Sequence, residues 1–236
     1  MSMGLNILLL VTNFWVLILI LISIASSAYI FYHFRKIYLF SPKSYYTDGP
    51  APREFCESVA SEHGVGSLEV RKAKSSYSDR YDVNNDVLFL RAPEQKTVRS
   101  LAVAAHEMGH VIQSLEYGFI YRFQSRLKPL ADLFSILSLP LILAGLLFYY
   151  PLTGLGVFLY FIAAIIILSA LPFELDASRR GKEALEERSI LDEGKFDRAE
   201  EIFRAASLTY VAAVTASVVK LISSILVPGG VLNEEN

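Results

Sequence analysis

Apolar and polar positions alternate along this chain in blocks rather than residue by residue. An apolar block extends from about Leu5 to Phe31, and no Asp, Glu, Lys or Arg occurs between Met1 and Phe34. A second uncharged block covers the 41 residues from Leu133 to Phe173. At ~1.5 Å per residue a helix of that length reaches about 60 Å, twice the ~30 Å hydrocarbon thickness of a bilayer. It therefore reads as two spans, Leu133–Tyr149 and Leu155–Leu171, folded back at Tyr149-Tyr150-Pro151-Leu152-Thr153-Gly154, where Pro and Gly punctuate the pattern and tyrosines suit an interface. Ser207–Val227, apolar apart from Lys220 and rich in small residues, is a fourth candidate span. The first block lacks the basic n-region of a secretory signal and is far longer than the ~7–15-residue core of one, so it is expected to be an uncleaved anchor.

Between these blocks the periodicity changes. Pro52 opens an amphipathic helix with Phe55, Val59 and Ala60 on one face, ending at His63-Gly64. Leu68–Val70 reads as a short strand, and Asp79–Val83 and Val87–Arg91 as a hairpin turned at Asn84-Asn85. A longer helix is expected from Thr97 to Tyr117, with its apolar stripe at Leu101, Ala105, Met108, Ile112 and Leu115 and Gly118 as its stop. Two more amphipathic helices are expected over Phe173–Glu187 and Phe196–Ala206.

The expected fold class is mostly α: a multi-pass membrane helical bundle carrying a small α+β part on the cytoplasmic side. Its organisation is an anchor over 5–32, a cytoplasmic part over 35–130, a membrane hairpin over 133–172, cytoplasmic helices over 173–206 and a fourth span over 207–227. Composition agrees, with 53% apolar and 19% charged residues against ~25% charged in soluble domains. Net charge is −2, which gives no reason to expect nucleic acid as a partner; the bilayer is the expected one. Of the 22 Lys and Arg, 14 lie in Arg35–Asp132 and 7 in Glu174–Ala206, so the positive-inside rule places both segments in the cytoplasm. A lone Cys56 excludes an internal disulfide and a cysteine-based zinc site. It reads as a small apolar residue.

The long helix carries His106-Glu107-Met108-Gly109-His110, an HExxH string. Residues at i and i+4 share a helix face, so both imidazoles can bind one Zn²⁺, while Glu107, ~100° round, can reach a metal-activated water without being a ligand. Such a carboxylate can take the proton as water attacks a carbonyl. A tetrahedral catalytic site needs a third protein ligand. Glu116, six residues beyond His110, would need a glycine turn where the chain has Gln113, and a continuous helix turns it away. Glu174 is the stronger candidate, because the membrane hairpin returns it to the side that holds the histidines.

Ala104–Gln113 followed by Phe173-Glu174-Leu175-Asp176-Ala177-Ser178-Arg179-Arg180 resembles the YugP-type family of bacterial membrane zinc metallopeptidases. Arg80-Tyr81-Asp82 and Leu208-Thr209-Tyr210-Val211-Ala212-Ala213 are similar to it too. The resemblance implies one zinc per chain on His106, His110 and Glu174, with Glu107 as base. It also implies kinship with gluzincins of the HtpX and CAAX prenyl-protease type. Those carry an acidic residue four positions after the ligand glutamate, oriented toward a ligand histidine. Here Ser178 stands there, and either Ser178 or Asp176 is a candidate for supporting a ligand histidine.

The remaining polar residues have plainer expected roles. His33 and His63 read as interfacial or capping residues and Arg179 and Arg180 as surface anchors. Tyr210 is a candidate hydrogen-bond donor, and Lys220 a snorkelling or paired cation.

The expected function is a zinc-dependent endopeptidase of the bacterial inner membrane, cutting polypeptide or membrane-protein substrates at the cytoplasmic surface; membrane-protein quality control is a setting that fits. The alternatives are a zinc hydrolase of another bond and a non-catalytic scaffold with a structural metal; an intact Glu107 argues against the scaffold. The strand Val87–Arg91, just before the zinc helix, is expected to be a sheet edge on which substrate adds as a strand, with Leu88 or Leu90 at an outward-bonding position.

Overall fold

The computed structural model describes residues 47–66, 68–74, 79–149 and 151–204, together with Ala25, Tyr29 and Tyr32. The expected anchor over 5–32, the fourth span over 207–227, and His33, Tyr210 and Lys220 lie outside this set, apart from those three isolated residues. The chain divides into two compact units, one of Met1–Tyr32, Leu127–Leu168 and Tyr210–Asn236, the other of His33–Arg126 and Ser169–Thr209.

The second unit is an α+β assembly. Helix α1, Pro52–Glu62, starts with Pro in its first turn, and the Glu54 carboxylate accepts from the Ala51 backbone N–H at 2.8 Å. His63 caps its other end, its ring nitrogen 2.9 Å from the Val59 carbonyl. Three strands follow: β1 Glu69–Lys72, β2 Arg80–Asp82 and β3 Val87–Leu90. The β2–β3 hairpin forms as expected, antiparallel with Tyr81 opposite Leu88. In its turn the Asp82 carboxylate accepts from the Asn84 backbone N–H at 3.1 Å and the Asn85 amide at 2.9 Å, a local bond set that asparagine and aspartate favour.

The sheet order is β1-β3-β2, with β1 parallel to β3, and this overturns the expected edge. β3 is the central strand, hydrogen-bonded on both sides, with Leu88 fully buried and Leu90 nearly so. Neither residue can present free backbone groups to a peptide. The physical reason lies in the strands themselves. Val87-Leu88-Phe89-Leu90 is an uninterrupted apolar run, as suits an interior strand. The edges are the polar strands Glu69-Val70-Arg71-Lys72 and Arg80-Tyr81-Asp82, whose charges discourage further pairing.

Helix α2, Val98–Glu116, agrees with expectation to within a residue at each end. Thr97 accepts from the Ser100 backbone N–H and donates its own to the Ser100 hydroxyl, both at 3.2 Å, and Gly118 takes φ +45 after the last turn. The unit's core gathers Phe55, Cys56 and Val59 of α1, Val70, Leu88 and Leu90 of the sheet, and Leu101, Met108 and Ile112 of α2. Burial raises the Cys56 thiol well above its ordinary pKa, so it is an inert packing residue.

Helix α3, Phe119–Leu147, begins fourteen residues before the apolar block, and contains Pro129 and Pro140. Helix α4, Pro151–Glu187, runs 37 residues through Pro172, so the expected span and the expected cytoplasmic helix are one element. Proline at Pro172 removes one backbone donor, and the hydrogen bonds on either side carry the helix across. Helix α3 ends at Leu147 and α4 begins at Pro151, so Pro151-Leu152-Thr153-Gly154, expected as part of the break, forms the first turn of α4. A last helix, α5, covers 193–204; Ala184 and Leu185 of α4 and Ala199, Ile202 and Phe203 of α5 join the core of the second unit.

The first unit, as described, is the helical hairpin of 127–168. Ala131, Ala163 and Ile166 pack together with Leu127, Phe134 and Ile162 around them. Its helices meet at glycines: a Cβ on Gly156 would fall 2.7 Å from the Ser138 carbonyl oxygen. By length and composition α4 is apolar enough to cross a membrane.

Candidate metal centre

The candidate site forms where α2 crosses the part of α4 beyond Pro172. Small residues make this crossing possible. A Cβ on Gly109 would lie 2.2 Å from the Ala177 carbonyl oxygen, and one on Gly181 would lie 2.6 Å from the Ala105 carbonyl oxygen. Ala105 and Gly109, and Ala177 and Gly181, are each four apart, so both helices show a small face to one another and their backbones touch. Gly109 sits between the two histidines of the motif. Its lack of a side chain lets Glu174 approach them.

The ligating atoms of His106, His110 and Glu174 lie within 4.8 Å of one another. Glu174 Oε2 is 3.4 Å from His106 Nε2 and 3.6 Å from His110 Nε2. Donor atoms of a tetrahedral zinc site with bonds of ~2.0–2.2 Å stand about 3.3–3.6 Å apart. Two imidazoles and a carboxylate at this separation therefore fit zinc in both geometry and donor chemistry. The rings meet edge to face, centroids 4.9 Å apart. Burial alone would lower the His110 pKa, but the Glu174 carboxylate beside it holds it above the ordinary value.

Glu107 follows His106 on α2 and is buried, 8% exposed. Burial pushes its carboxyl above the usual carboxylate range, against the pull of the two imidazoles. A carboxylate with a raised pKa is better matched to accepting and returning a proton near neutral pH.

The outer nitrogens of the histidines meet different partners. His106 Nδ1 is 3.1 Å from the Ser178 hydroxyl. His110 Nδ1 is 3.0 Å from Gln113 Oε1. Gln113, fully buried, donates from Nε2 to the Phe173 carbonyl at 2.7 Å and to Asp176 Oδ2 at 2.9 Å. Asp176 in turn accepts from Arg180 Nε at 2.7 Å and from Arg179 at 2.6 Å. Both candidates for the role opened by the Ser178 substitution thus sit at the site, Ser178 against one histidine and Asp176 behind the partner of the other.

Glu116 is not among the clustered donors. Its carboxylate accepts two hydrogen bonds from the Arg180 guanidinium, at 2.7 and 2.6 Å, which hold it below the usual carboxylate range. Arg180 also lies over the Tyr117 ring at 5.5 Å, so it is a bolt between α4 and the end of α2 rather than a surface anchor.

Three residues of this surround escaped the sequence reading. Gln113 entered it only as a missing glycine, although its position on the buried stripe three residues after His110 was visible. Tyr121, 7% exposed, lies 5.8 Å from the His110 ring and 6.2 Å from Phe173 between centroids; nothing local in the sequence marks it. Gly181 pairs with Ala177 as a small-residue repeat that could have been read beside Ala105 and Gly109.

Comparison with known proteins agrees with this chemistry. "Putative membrane protease YugP" of Bacillus subtilis (strain 168) is 27% identical over 185 residues, covering 77% of this chain and 82% of that protein. No solved structure matches the chain. Residues 12–228 match the family described as putative neutral zinc metallopeptidase. With nearly its whole length matched, including the clustered histidines and glutamate, the chain belongs to that family.

Proposed function

We propose that this protein is a membrane-embedded zinc endopeptidase of the cell membrane, working at its cytoplasmic surface on unfolded or membrane-protein segments. The observation that carries the proposal is the convergence of His106, His110 and Glu174 within 4.8 Å beside a buried glutamate that is not one of the three. His106, His110 and Glu174 would hold the metal, one per chain, and Glu107 would be the base. Zinc bound there would supply Lewis acidity, activating a water and polarising the scissile carbonyl. Glu107 takes the proton of the attacking water and passes it to the leaving amine. The burial of Glu107 keeps that proton from bulk solvent.

The membrane part of the proposal rests on several supports. These are the apolar length of α4, the uncharged blocks of the sequence, and the printed name of the Bacillus relative. Phe119, Ile120 and Phe123 at the start of α3 are exposed next to Arg122 and Arg126, the aromatic and basic mixture that membrane interfaces favour. On this reading spans at 5–32, 133–172 and 207–227 hold the cytoplasmic parts 35–130 and 173–206. A cysteine at Lys72, on the exposed edge of β1, should resist an impermeant thiol reagent in intact cells. Labelling there would reverse the orientation.

The activity is tested by comparing membrane-protein fragments from cells carrying the wild type with those from cells carrying Glu107→Gln. Purified protein should cleave an unfolded polypeptide, and Glu107→Gln should retain zinc while turnover falls about 10²–10⁴-fold. Equal cleavage by both proteins would remove Glu107 from the mechanism.

A further inference from the structure

The hydrogen bonds of Gln113 have a single consistent assignment. Two of its three partners, the Phe173 carbonyl and the Asp176 carboxylate, can only accept. Both therefore face the amide nitrogen, and both of its N–H groups are used. The amide oxygen is left facing His110 Nδ1 at 3.0 Å. A carbonyl oxygen cannot donate, so a favourable contact requires a proton on Nδ1. A neutral imidazole with its proton on Nδ1 has its lone pair on Nε2, the atom directed at Glu174 and available to a metal.

His106 is held differently. Its Nδ1 faces the Ser178 hydroxyl, and a hydroxyl can donate or accept. That contact alone does not choose between tautomers.

From this asymmetry we propose that Gln113 is a positioning residue that accepts from His110 Nδ1–H and so leaves Nε2 turned toward the metal position. Asp176 and Arg180 are its supports. Asp176 prevents the amide from flipping, since a flipped oxygen would face two acceptors. The Arg180 guanidinium, bonded to Asp176 at 2.7 Å and to Glu116, keeps that carboxylate in place. The chain thus orders this ligand through a neutral amide. The amide orients the ring without placing a second negative charge directly against it.

The proposal rests on the zinc reading of this site, and its test separates the two. The full-length protein, labelled with ¹⁵N at its 4 histidines, is examined with zinc bound. Wild-type His110 should show the downfield proton of a hydrogen-bonded Nδ1–H, and Gln113→Met, of similar length but without the amide, should lose that shift. Zinc affinity, measured by competition with a chelator, should fall about ten- to hundredfold in Gln113→Met.

A zinc-bound wild type without a hydrogen-bonded Nδ1–H on His110 overturns the proposal even if no variant folds. So does a Gln113→Met protein whose Nδ1–H shift and zinc affinity match the wild type. Failure of the wild type to bind zinc at all would instead defeat the proposed function, and this inference with it.

Discussion

The α2–α4 crossing and the helical hairpin of 127–168 are built with the same device and turned to opposite ends. In each, glycine lets two helices come into backbone contact, Gly109 against Ala177 in the first and Gly156 against Ser138 in the second. At the crossing, the close approach encloses polar side chains, and Glu107, Gln113, Glu174 and Ser178 are all buried. Around them Phe55, Leu88, Leu101, Met108 and Leu185 are almost wholly inaccessible. In the hairpin, the outward surface is apolar instead: Ile136 is 69%, Leu168 51% and Phe158 58% exposed. Burying apolar area is worth ~25 cal/mol per Å² only if water is the alternative. The outward apolar surface of the hairpin is one reason for the membrane setting proposed above. Tight glycine packing is therefore a geometric tool, and the residues around it decide what it accomplishes.

The comparison breaks most sharply at the ligands. Alanine at His106, His110 or Glu174 should abolish stoichiometric zinc in purified protein, as measured by metal analysis, and a chelator should do the same to the wild type. Full zinc retention by Glu174→Ala would remove it from the ligand set. Gly109→Ala comes next. On an exposed helix that exchange stabilises by up to about 1 kcal/mol. Here the sign should reverse, because the added carbon meets the Ala177 backbone at 2.2 Å, and overpacking of this kind costs ~1–3 kcal/mol or more. A lowered melting temperature together with weakened zinc binding is expected; an unchanged melting temperature would mean that the crossing can open freely.

The same two regions should answer differently to surface chemistry. Leu88→Ala, in the middle of the sheet, should cost ~2–5 kcal/mol in chemical denaturation. Ile136→Lys should impair membrane integration by about 2.5–3.5 kcal/mol if its face meets lipid near the middle of a span, read as the fraction of chain inserted. Undiminished insertion would place that face in water. The smallest effect belongs to the exposed end of α2. Arg180 lowers the folded-state pKa of Glu116, so the pair stabilises above the ordinary glutamate pKa of ~4.3 and loses that contribution as pH falls through the lowered value. Glu116→Gln should therefore cost ~0.2–1 kcal/mol at neutral pH and nothing in acid. A deficit that persists in acid would show that the ion pair is not its cause.

Local features of the sequence carried much of this description. Thr97 and Gly118 bracket α2 because a side-chain cap and a positive φ are properties of single residues. Asp82, Asn84 and Asn85 make the hairpin turn from bonds that span three positions or fewer. The spacing of His106 and His110 followed from helical period, and Glu174 from the return of the chain after an apolar hairpin. Pro151 stands at the start of α4, where its missing donor costs nothing.

What the sequence could not decide depends on partners that local pattern does not reveal. Val87–Leu90 follows a turn as a hairpin arm does, and its parallel pairing with β1 on the other side makes it central. Pro172 looks like a boundary locally, yet the helix on both sides of it is stable enough to absorb one lost hydrogen bond. Ser178 and Asp176 were indistinguishable as supports of a histidine, since both lie within a turn of Glu174. The helix crossing assigned them different duties, Ser178 to His106 and Asp176 to the amide of Gln113. Spacing along one helix fixed which residues could share a face and a metal. The α2–α4 crossing, set by four small residues on two helices some seventy positions apart, decided which donor meets which acceptor, because hydrogen-bond polarity is read across a contact.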